Sequence, residues 1–266
     1  MQILLTNDDG IHAPGLAALE RQLQQLGDVT VVAPATEQSG VAHSITFLSP
    51  LIVAKAYDGD RFRGWAVEGS PADCVKIGLF ELCPRRPDLV VSGINGGLNA
   101  GINVLYSGTV AAAIEGAFFE ITSIAVSLEF ADHPEFAKAA VVARGVIEQL
   151  LARDSRRPEL FNLNIPTKAL LDEPARRPEL KIVPMGVARW GEEFEKRIDP
   201  RGRSYYWANN EPPPPRTEGD TDLTALNEGH ITLTPLDFNL TKHGMLEAMQ
   251  DWGLRLPAIP RHDEVQ

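Results

Sequence analysis

Two carboxylates stand side by side at Asp8-Asp9, directly after a short apolar run, Gln2–Thr6. Adjacent anions repel unless a cation or hydrogen-bond donors sit between them. Hard cations such as Mg2+ and Mn2+ take oxygen ligands, and a carboxylate pair supplies both charge and reach. Asn7-Asp8-Asp9-Gly10 is also good turn chemistry, so by itself the tetrapeptide fits a turn and a metal site equally. Ser39 and Asn95 are neutral oxygen donors that come after other apolar runs. Each alone fits a turn or a cap; together with Asp8 and Asp9 they make an all-oxygen shell. The uncharged stretch Leu89–Ile114 holds five glycines and three asparagines, the latter at Asn95, Asn99 and Asn103. Glycines let backbone approach a ligand closely. Ser107-Gly108-Thr109 opens a helix, and a helix N-terminus attracts phosphate through its free N–H groups and dipole. A plain N-cap uses the same residues.

One absence narrows the chemistry. No Lys or Arg occurs from Gln22 to Ala54 or from Asp88 to Ala137. A phosphate site built from these loops has no cationic side chain of its own, so a metal and backbone N–H groups must supply the positive potential. This argues against a kinase-like lysine clamp and for metal-assisted hydrolysis. The glycine loop lacks the Gly-Lys-Ser/Thr ending of a P-loop and the Gly-x-Gly-x-x-Gly of a dinucleotide site. No Gly-x-Ser-x-Gly nucleophile elbow is present. His12 and His43 lie near the loops and suit either acid/base work or a plain loop role.

The elements that must hold these residues alternate. Gln2–Thr6, Val29–Ala33, Asp88–Ser92, Ile124–Ser127 and Leu160–Ile165 read as buried strands, being mostly apolar rather than alternating. Pro14–Leu26, Thr109–Phe119 and Pro134–Arg153 read as helices between them. Ser70-Pro71-Ala72-Asp73 starts another, with an N-cap serine and proline at the first position, running to about Leu82. Ile52–Ala56 and Gly64–Val67 flank a turn at Asp58-Gly59, and residues 35–50 read mostly as loop. The class is α/β, doubly wound, with a mostly parallel Rossmann-like sheet. In such sheets ligands bind beyond the carboxyl ends of the strands, where the site candidates fall.

The pattern changes after residue 166. Lys181–Pro184 suggests a strand, and Asp199–Trp207 with His230–Leu233 an antiparallel arm. Pro212–Pro215 reads as an extended spacer, and Leu246–Leu254 as a short helix. Residues 1–180 are therefore expected to form the catalytic domain and 181–266 a C-terminal arm and tail.

Composition bounds the rest. The 266 residues are 44% hydrophobic and 23% charged, which fits a globular protein and excludes disorder and collagen. The net charge of −11 excludes a general binder of nucleic acid duplexes, which needs clustered Lys and Arg. Cys74 and Cys83 match neither a zinc nor a redox spacing and suit buried free thiols in a reducing compartment. The N-terminal run is too short and unflanked for a signal peptide, and no stretch suits a membrane span, so a cytoplasmic protein is expected.

Several stretches together carry a family resemblance: Thr-Asn-Asp-Asp-Gly (6–10), Gln-Ser-Gly (38–40), Gly-Ser-Pro-Ala-Asp-Cys-Val (69–75), Val-Ser-Gly-Ile-Asn-Gly-Gly-Leu-Asn (91–99) and Tyr-Ser-Gly-Thr-Val-Ala-Ala-Ala-Ile-Glu-Gly (106–116). Asn-Leu-Asn-Ile-Pro (162–166), Asp-Pro-Arg-Gly (199–202) and Thr-Asp-Leu (221–223) extend it over nearly the whole chain. The sequence resembles the SurE family of metal-dependent 5′/3′-nucleotidases. The resemblance implies a Rossmann-like domain and a C-terminal part with exchanged tails that joins a homodimer or homotetramer. It implies one divalent metal ion per subunit on Asp8, Asp9, Ser39 and Asn95, and phosphate near Ser107, Gly108 and Thr109. Catalysis then falls to Asp8, Asp9 and Asn95, with Asn99 positioning the phosphate. Three places depart from the family pattern: His43 stands where a small or polar residue is usual, Glu120-Ile121-Thr122 replaces a Gly/Pro turn, and Asp220 is an extra acid.

The expected activity is hydrolysis of nucleoside 5′- and 3′-monophosphates, with short polyphosphate as a further substrate. Two other readings stay open on sequence: a metal-dependent nucleotide sensor without turnover, and a metal-dependent sugar-nucleotide transferase. The acidity of the site loops generates a first prediction. A chelator should abolish nucleotide binding and turnover while circular dichroism stays unchanged; tight binding in excess chelator would refute a cation-dependent site.

Overall fold

The computed structural model describes residues 1–153, 157–171, 178–188, 193–208 and 217–256. The Pro212–Pro215 spacer lies outside the described residues. In chain order come β1 (Gln2–Thr6), α1 (Pro14–Leu23), β2 (Asp28–Pro34), β3 (Val53–Asp58), β4 (Arg61–Val67), α2 (Pro71–Ile77), β5 (Leu89–Gly96), α3 (Gly108–Phe118), β6 (Thr122–Leu128), α4 (Phe136–Leu151) and β7 (Leu160–Ile165). After them come β8 (Leu180–Ile182), β9 (Phe194–Ile198), β10 (Ser204–Ala208), α5 (Asp222–Asn227), β11 (Ile231–Leu236) and α6 (Leu246–Gln250).

Nine strands form one sheet in the order β3-β4-β2-β1-β5-β6-β7-β11-β8. β2, β1, β5, β6 and β7 run parallel, in keeping with their mostly apolar character. The strand order reverses between β1 and β5, which places a switch point between the Asp8-Asp9 loop and the glycine-asparagine loop. Within β1, Ile3 and Leu5 join the larger core cluster with Leu16, Leu19, Ala140 and Ile147 from α1 and α4. Leu4 joins the opposite cluster with Val75 of α2 and Ala112 of α3. Alternate residues of one strand thus feed two helical layers, which is why Ile3, Leu4 and Leu5 are apolar in succession.

Four expectations change. β5 continues four residues past Ser92, so Asn95 pairs with Ser127 of β6 and sits on a strand end rather than in a free loop. The antiparallel arm is β9 paired with β10, while Ile231–Leu236 leaves it and enters the main sheet, antiparallel to β7 and parallel to β8. β11 takes this place because Ile231 and Leu233 are buried and pack into the main core. Residues Met1–Leu236 form one compact unit, and a second begins at Asp237; position 181 lies inside β8. The second unit contains the short helix α6, succeeded by a turn, in place of a helix reaching Leu254. α1 likewise ends at Leu23, and Leu26 closes a turn onto the Leu23 carbonyl.

The helix layer comes very close to β5. A Cβ built on Gly15 of α1 would lie 2.1 Å from the Ile94 carbonyl oxygen. Both groups are backbone, so neither can swing away. Gly15→Ala should cost about 2–3 kcal/mol, as overpacking does, and displace the Ile94–Asn95 end of β5. Urea unfolding measures the loss; an unchanged midpoint would refute the close contact.

Candidate active site

Asp8 and Asp9 stand directly after β1, where the sequence placed them, and the turn chemistry is real as well. The Gly10 amide donates to the Asn7 side-chain oxygen at 3.2 Å, and the Asn7 side-chain amide donates to the Gly10 carbonyl at 3.0 Å. Gly10 has φ of 100°, a conformation that suits glycine. The turn reading and the site reading are compatible, since the turn is what projects the carboxylates.

Asp8 is buried, and α3 begins against it. The Thr109 hydroxyl donates to Asp8 Oδ1 at 2.6 Å. A Cβ on Gly108 would come within 2.9 Å of the Asp8 Cβ. The Ser107 side chain caps the helix by accepting from the Val110 amide at 3.1 Å. Burial pushes the Asp8 carboxyl above its ordinary range, while the Thr109 side-chain and backbone donors oppose that rise. Asp9 is half-buried and its carboxyl is pushed up to about 6, first by burial and then by the charge of Asp8. The Gly96 amide lies 3.4 Å from Asp9 Oδ2.

Asn95, half-buried, commits its side-chain nitrogen to the Gly97 carbonyl at 2.7 Å, so its amide oxygen is the atom that could meet a cation. Ser39 is exposed, and its hydroxyl donates to Glu37 at 2.6 Å. Its loop is tied to the carboxylate turn by the Gln38 amide, which donates to the Asp8 carbonyl at 2.8 Å. Among the described residues no three His, Cys, Asp or Glu side chains gather as a metal cluster. A cation here thus relies on two carboxylates plus neutral oxygens. The donor set fits a hard divalent ion: all oxygen, with two carboxylates, in loops that carry no Lys or Arg.

Asn99 is buried and faces inward. Its side-chain amide donates to Thr109 Oγ1 at 3.3 Å and to Ser127 at 2.9 Å. Its backbone is gripped by β7: its N–H donates to Asn164 Oδ1 at 2.8 Å, and its carbonyl accepts from Asn162 at 2.7 Å and Asn164 at 3.0 Å. Asn162 and Asn164 carry no assignment from the sequence beyond the family motif. Two asparagines spaced by two in an apolar strand share one face, and that was the available signal. Asp222 also gains a place. It is buried at the start of α5 and accepts from the Gly101 and Gly186 amides, each at 2.8 Å, so it anchors the glycine-asparagine loop from behind. Its neighbour Asp220 is exposed. His12 is exposed, whereas His43 meets the buried Glu115 of α3 at 2.7 Å and ties the Ser39 loop to that helix. Cys74 is buried and Cys83 half-buried, both free, with burial pushing the Cys83 thiol up to about 11.

Fold and site together define a doubly wound α/β protein whose switch point carries a cation-ready carboxylate pair against a helix N-terminus. Comparison with known proteins supplies the family. The family model described as Survival protein SurE matches residues 3–192, and the chain belongs to the SurE family. It is 61% identical over 257 residues to a protein of Rhodopirellula baltica named 5′-nucleotidase SurE, covering 96% of this chain and 100% of that one. A protein of the same name from Heliobacterium modesticaldum is 43% identical over 95% of this chain and 92% of its own. The crystal structure of the SurE protein from Aquifex aeolicus superposes with a TM-score of 0.79 at 36% identity, covering 94% of this chain and 99% of that one.

The raised carboxyls have a thermodynamic consequence. A carboxyl whose folded pKa lies above its unfolded value binds more protons in the folded state between the two. Stability therefore falls as pH rises through that window, here from about 4 to about 6 for Asp9. Without metal, Asp9→Asn should stabilise the protein at about pH 7.5 by on the order of 1 kcal/mol after solvent screening. The gain should shrink toward about pH 4.5. Thermal melting in chelator checks this; a destabilised variant at neutral pH would contradict the electrostatic account.

Proposed function

We propose that this chain is a metal-dependent phosphomonoesterase that hydrolyses nucleoside 5′- and 3′-monophosphates, and short polyphosphate as a further substrate. The observation that carries the reading is the carboxylate pair at the switch point, in loops without Lys or Arg, held against the start of α3. Membership of a family whose relatives are named 5′-nucleotidases supports it.

In this reading Asp8, Asp9, Ser39 and Asn95 hold one divalent ion, Mg2+ or Mn2+. A bound ion there supplies Lewis acidity and the positive charge that the phosphoryl group requires. Every other role belongs to the chain. Thr109 fixes the Asp8 carboxylate in one orientation by its short hydrogen bond, so the ligand oxygen needs no reorganisation during turnover. The Asp8 or Asp9 oxygen not engaged by the ion accepts a hydrogen bond from the attacking water and sets its line of approach. Ser107, Gly108 and Thr109 flank the phosphate, and the missing side chain at Gly108 lets the start of α3 pack against Asp8. Asn99 acts behind them, through Thr109.

The same reading makes the protein cytoplasmic and a homodimer or homotetramer. Its arm suits a subunit contact, since every residue of β9 and β10 is exposed, Phe194, Tyr206 and Trp207 included. Among the described residues no helix is long and apolar enough to cross a membrane.

Phosphate release from a nucleoside monophosphate with Mn2+ or Mg2+, with and without EDTA, tests the activity. Asp8→Asn should lose at least about a hundredfold in kcat, as loss of a preorganised electrostatic group does, with the fold retained. Near-normal turnover of that variant at saturating metal would sink the assignment, and nucleotide binding without any release would identify a sensor instead.

A further inference from the structure

Asp222 is fully buried, yet the chemistry assigned to Asp8 and Asp9 makes no direct use of it. Burying a carboxylate is costly. Burial pushes the Asp222 carboxyl above its ordinary range, while the backbone amides that donate to it oppose the rise. What the group offers is two acceptor oxygens and no donor. Oδ2 accepts from the Gly101 amide at 2.8 Å. Oδ1 accepts from the Gly186 and Leu223 amides, each at 2.8 Å. An asparagine cannot do the same, because its NH2 would replace one oxygen and set a donor against a donor.

On one side the carboxylate joins two segments that bracket the β9–β10 arm in the chain. The Asp222 amide donates to the Pro184 carbonyl at 3.0 Å, and a Cβ on Gly186 would lie 3.0 Å from a Leu223 methyl. On the other side it grips Gly101, which has φ of 57° and opens the short turn Gly101–Leu105. That turn leads through Tyr106 to Ser107, the cap of α3. Ala100 is buried in one cluster with Leu223 and Leu226 of α5, so loop and helix share a small core. Two residues before Gly101 stands Asn99, whose side chain donates to Thr109, which in turn donates to Asp8. The loop is thus held at Asn99 by β7 and at Gly101 by Asp222.

We infer that Asp222 is a positioning residue for the reaction: it fixes the main chain at Gly101 and, through Asn99 and the Ser107 cap, the hydrogen bond between Thr109 and Asp8. It acts on the phosphate chemistry from the far side of the loop, through other residues. The inference rests on the phosphomonoesterase reading for the role of Asp8, and it extends that reading to what holds Asp8 in register. Its consequence is that the segments on either side of the arm and the start of α3 share one fixed point.

Full-length Asp222→Asn protein with Mn2+ tests it, assayed on adenosine 5′-monophosphate and on p-nitrophenyl phosphate, which has no nucleoside. Its kcat should fall about tenfold on both, because small misplacements far from the chemistry are costly in rate. KM should stay within about threefold, since the loss falls on the transition state. A residue that only supports the fold would lower the melting temperature and leave the kcat of folded protein unchanged, and that result overturns the inference. Thr109→Val removes the hydroxyl at the end of the route. In that background Asp222→Asn should cost less than about a further twofold in kcat, because coupled residues are not additive. Losses that multiply in full would show that Asp222 does not act through Thr109. Amide hydrogen exchange gives a reading that needs no turnover. The Gly101 and Gly186 amides should exchange slowly in the wild type, and Asp222→Asn should speed exchange from Gly101 into the first turn of α3. Fast exchange at Gly101 in the wild type, or unchanged protection of that turn in the variant, refutes the positioning role. If Asp222→Asn does not fold, Asp222→Ala, which sets no donor against the amides, is read in the same way. If wild-type protein releases phosphate from neither ester, the phosphomonoesterase reading fails, and exchange still decides whether Asp222 fixes the start of α3.

Discussion

The contact between Asp8 and the start of α3 is the constraint on which the rest of the site depends. A buried carboxylate with no cationic side chain beside it is costly to maintain. Here the offset comes from the Thr109 hydroxyl and from donors at a helix N-terminus. That arrangement holds only if α3 begins at one place and one depth. The depth is set along the helix, where a Cβ at Gly116 would fall 2.4 Å from the Ser123 hydroxyl and 2.9 Å from Val90. The start is set by the Ser107 cap, and Asn99 steadies Thr109 while β7 grips Asn99. Strands β1, β5, β6 and β7 and one helix thus converge on the orientation of a single carboxylate.

Much of this was legible in the chain. Buried strands announce themselves by consecutive apolar residues, and Ile3, Leu4 and Leu5 of β1 fit that rule because alternate residues enter different helical layers. The carboxylate pair was legible because ligands collect at strand ends, a rule that needs only the strand and the few residues after it. The helix at Ser70 was legible because its capping box lies within four residues. These signals are all local.

What escaped is non-local. Asn162 and Asn164 meet Asn99 across more than 60 residues of chain, and Asp222 meets Gly101 across 121. No pattern of spacing within a segment encodes which distant carbonyl an amide will find. The strand at Ile231–Leu236 reads equally well as part of an arm until its partners are known. The extension of β5 beyond Ser92 was hidden for a different reason. Glycine is disfavoured in strands, yet Gly93 is required there because a Cβ would fall 2.3 Å from the Val126 carbonyl oxygen. Tertiary crowding overrode local propensity.

The position of β11 also governs the order of events during synthesis. β7 pairs with β11 and not with β8, although β8 comes next along the chain. Until residue 236 has been made, β7 stands as an open edge, and its Asn162 and Asn164 have no strand on that side. The sheet is therefore completed only after the β9–β10 arm has been formed and passed over. Long-range pairing of this kind closes slowly and leaves strand edges exposed to other chains meanwhile. A nascent chain halted before β11 would present that edge together with an arm whose every strand residue faces solvent. The vulnerable period of this protein is thus the interval of translation between the completion of β7 and the arrival of β11.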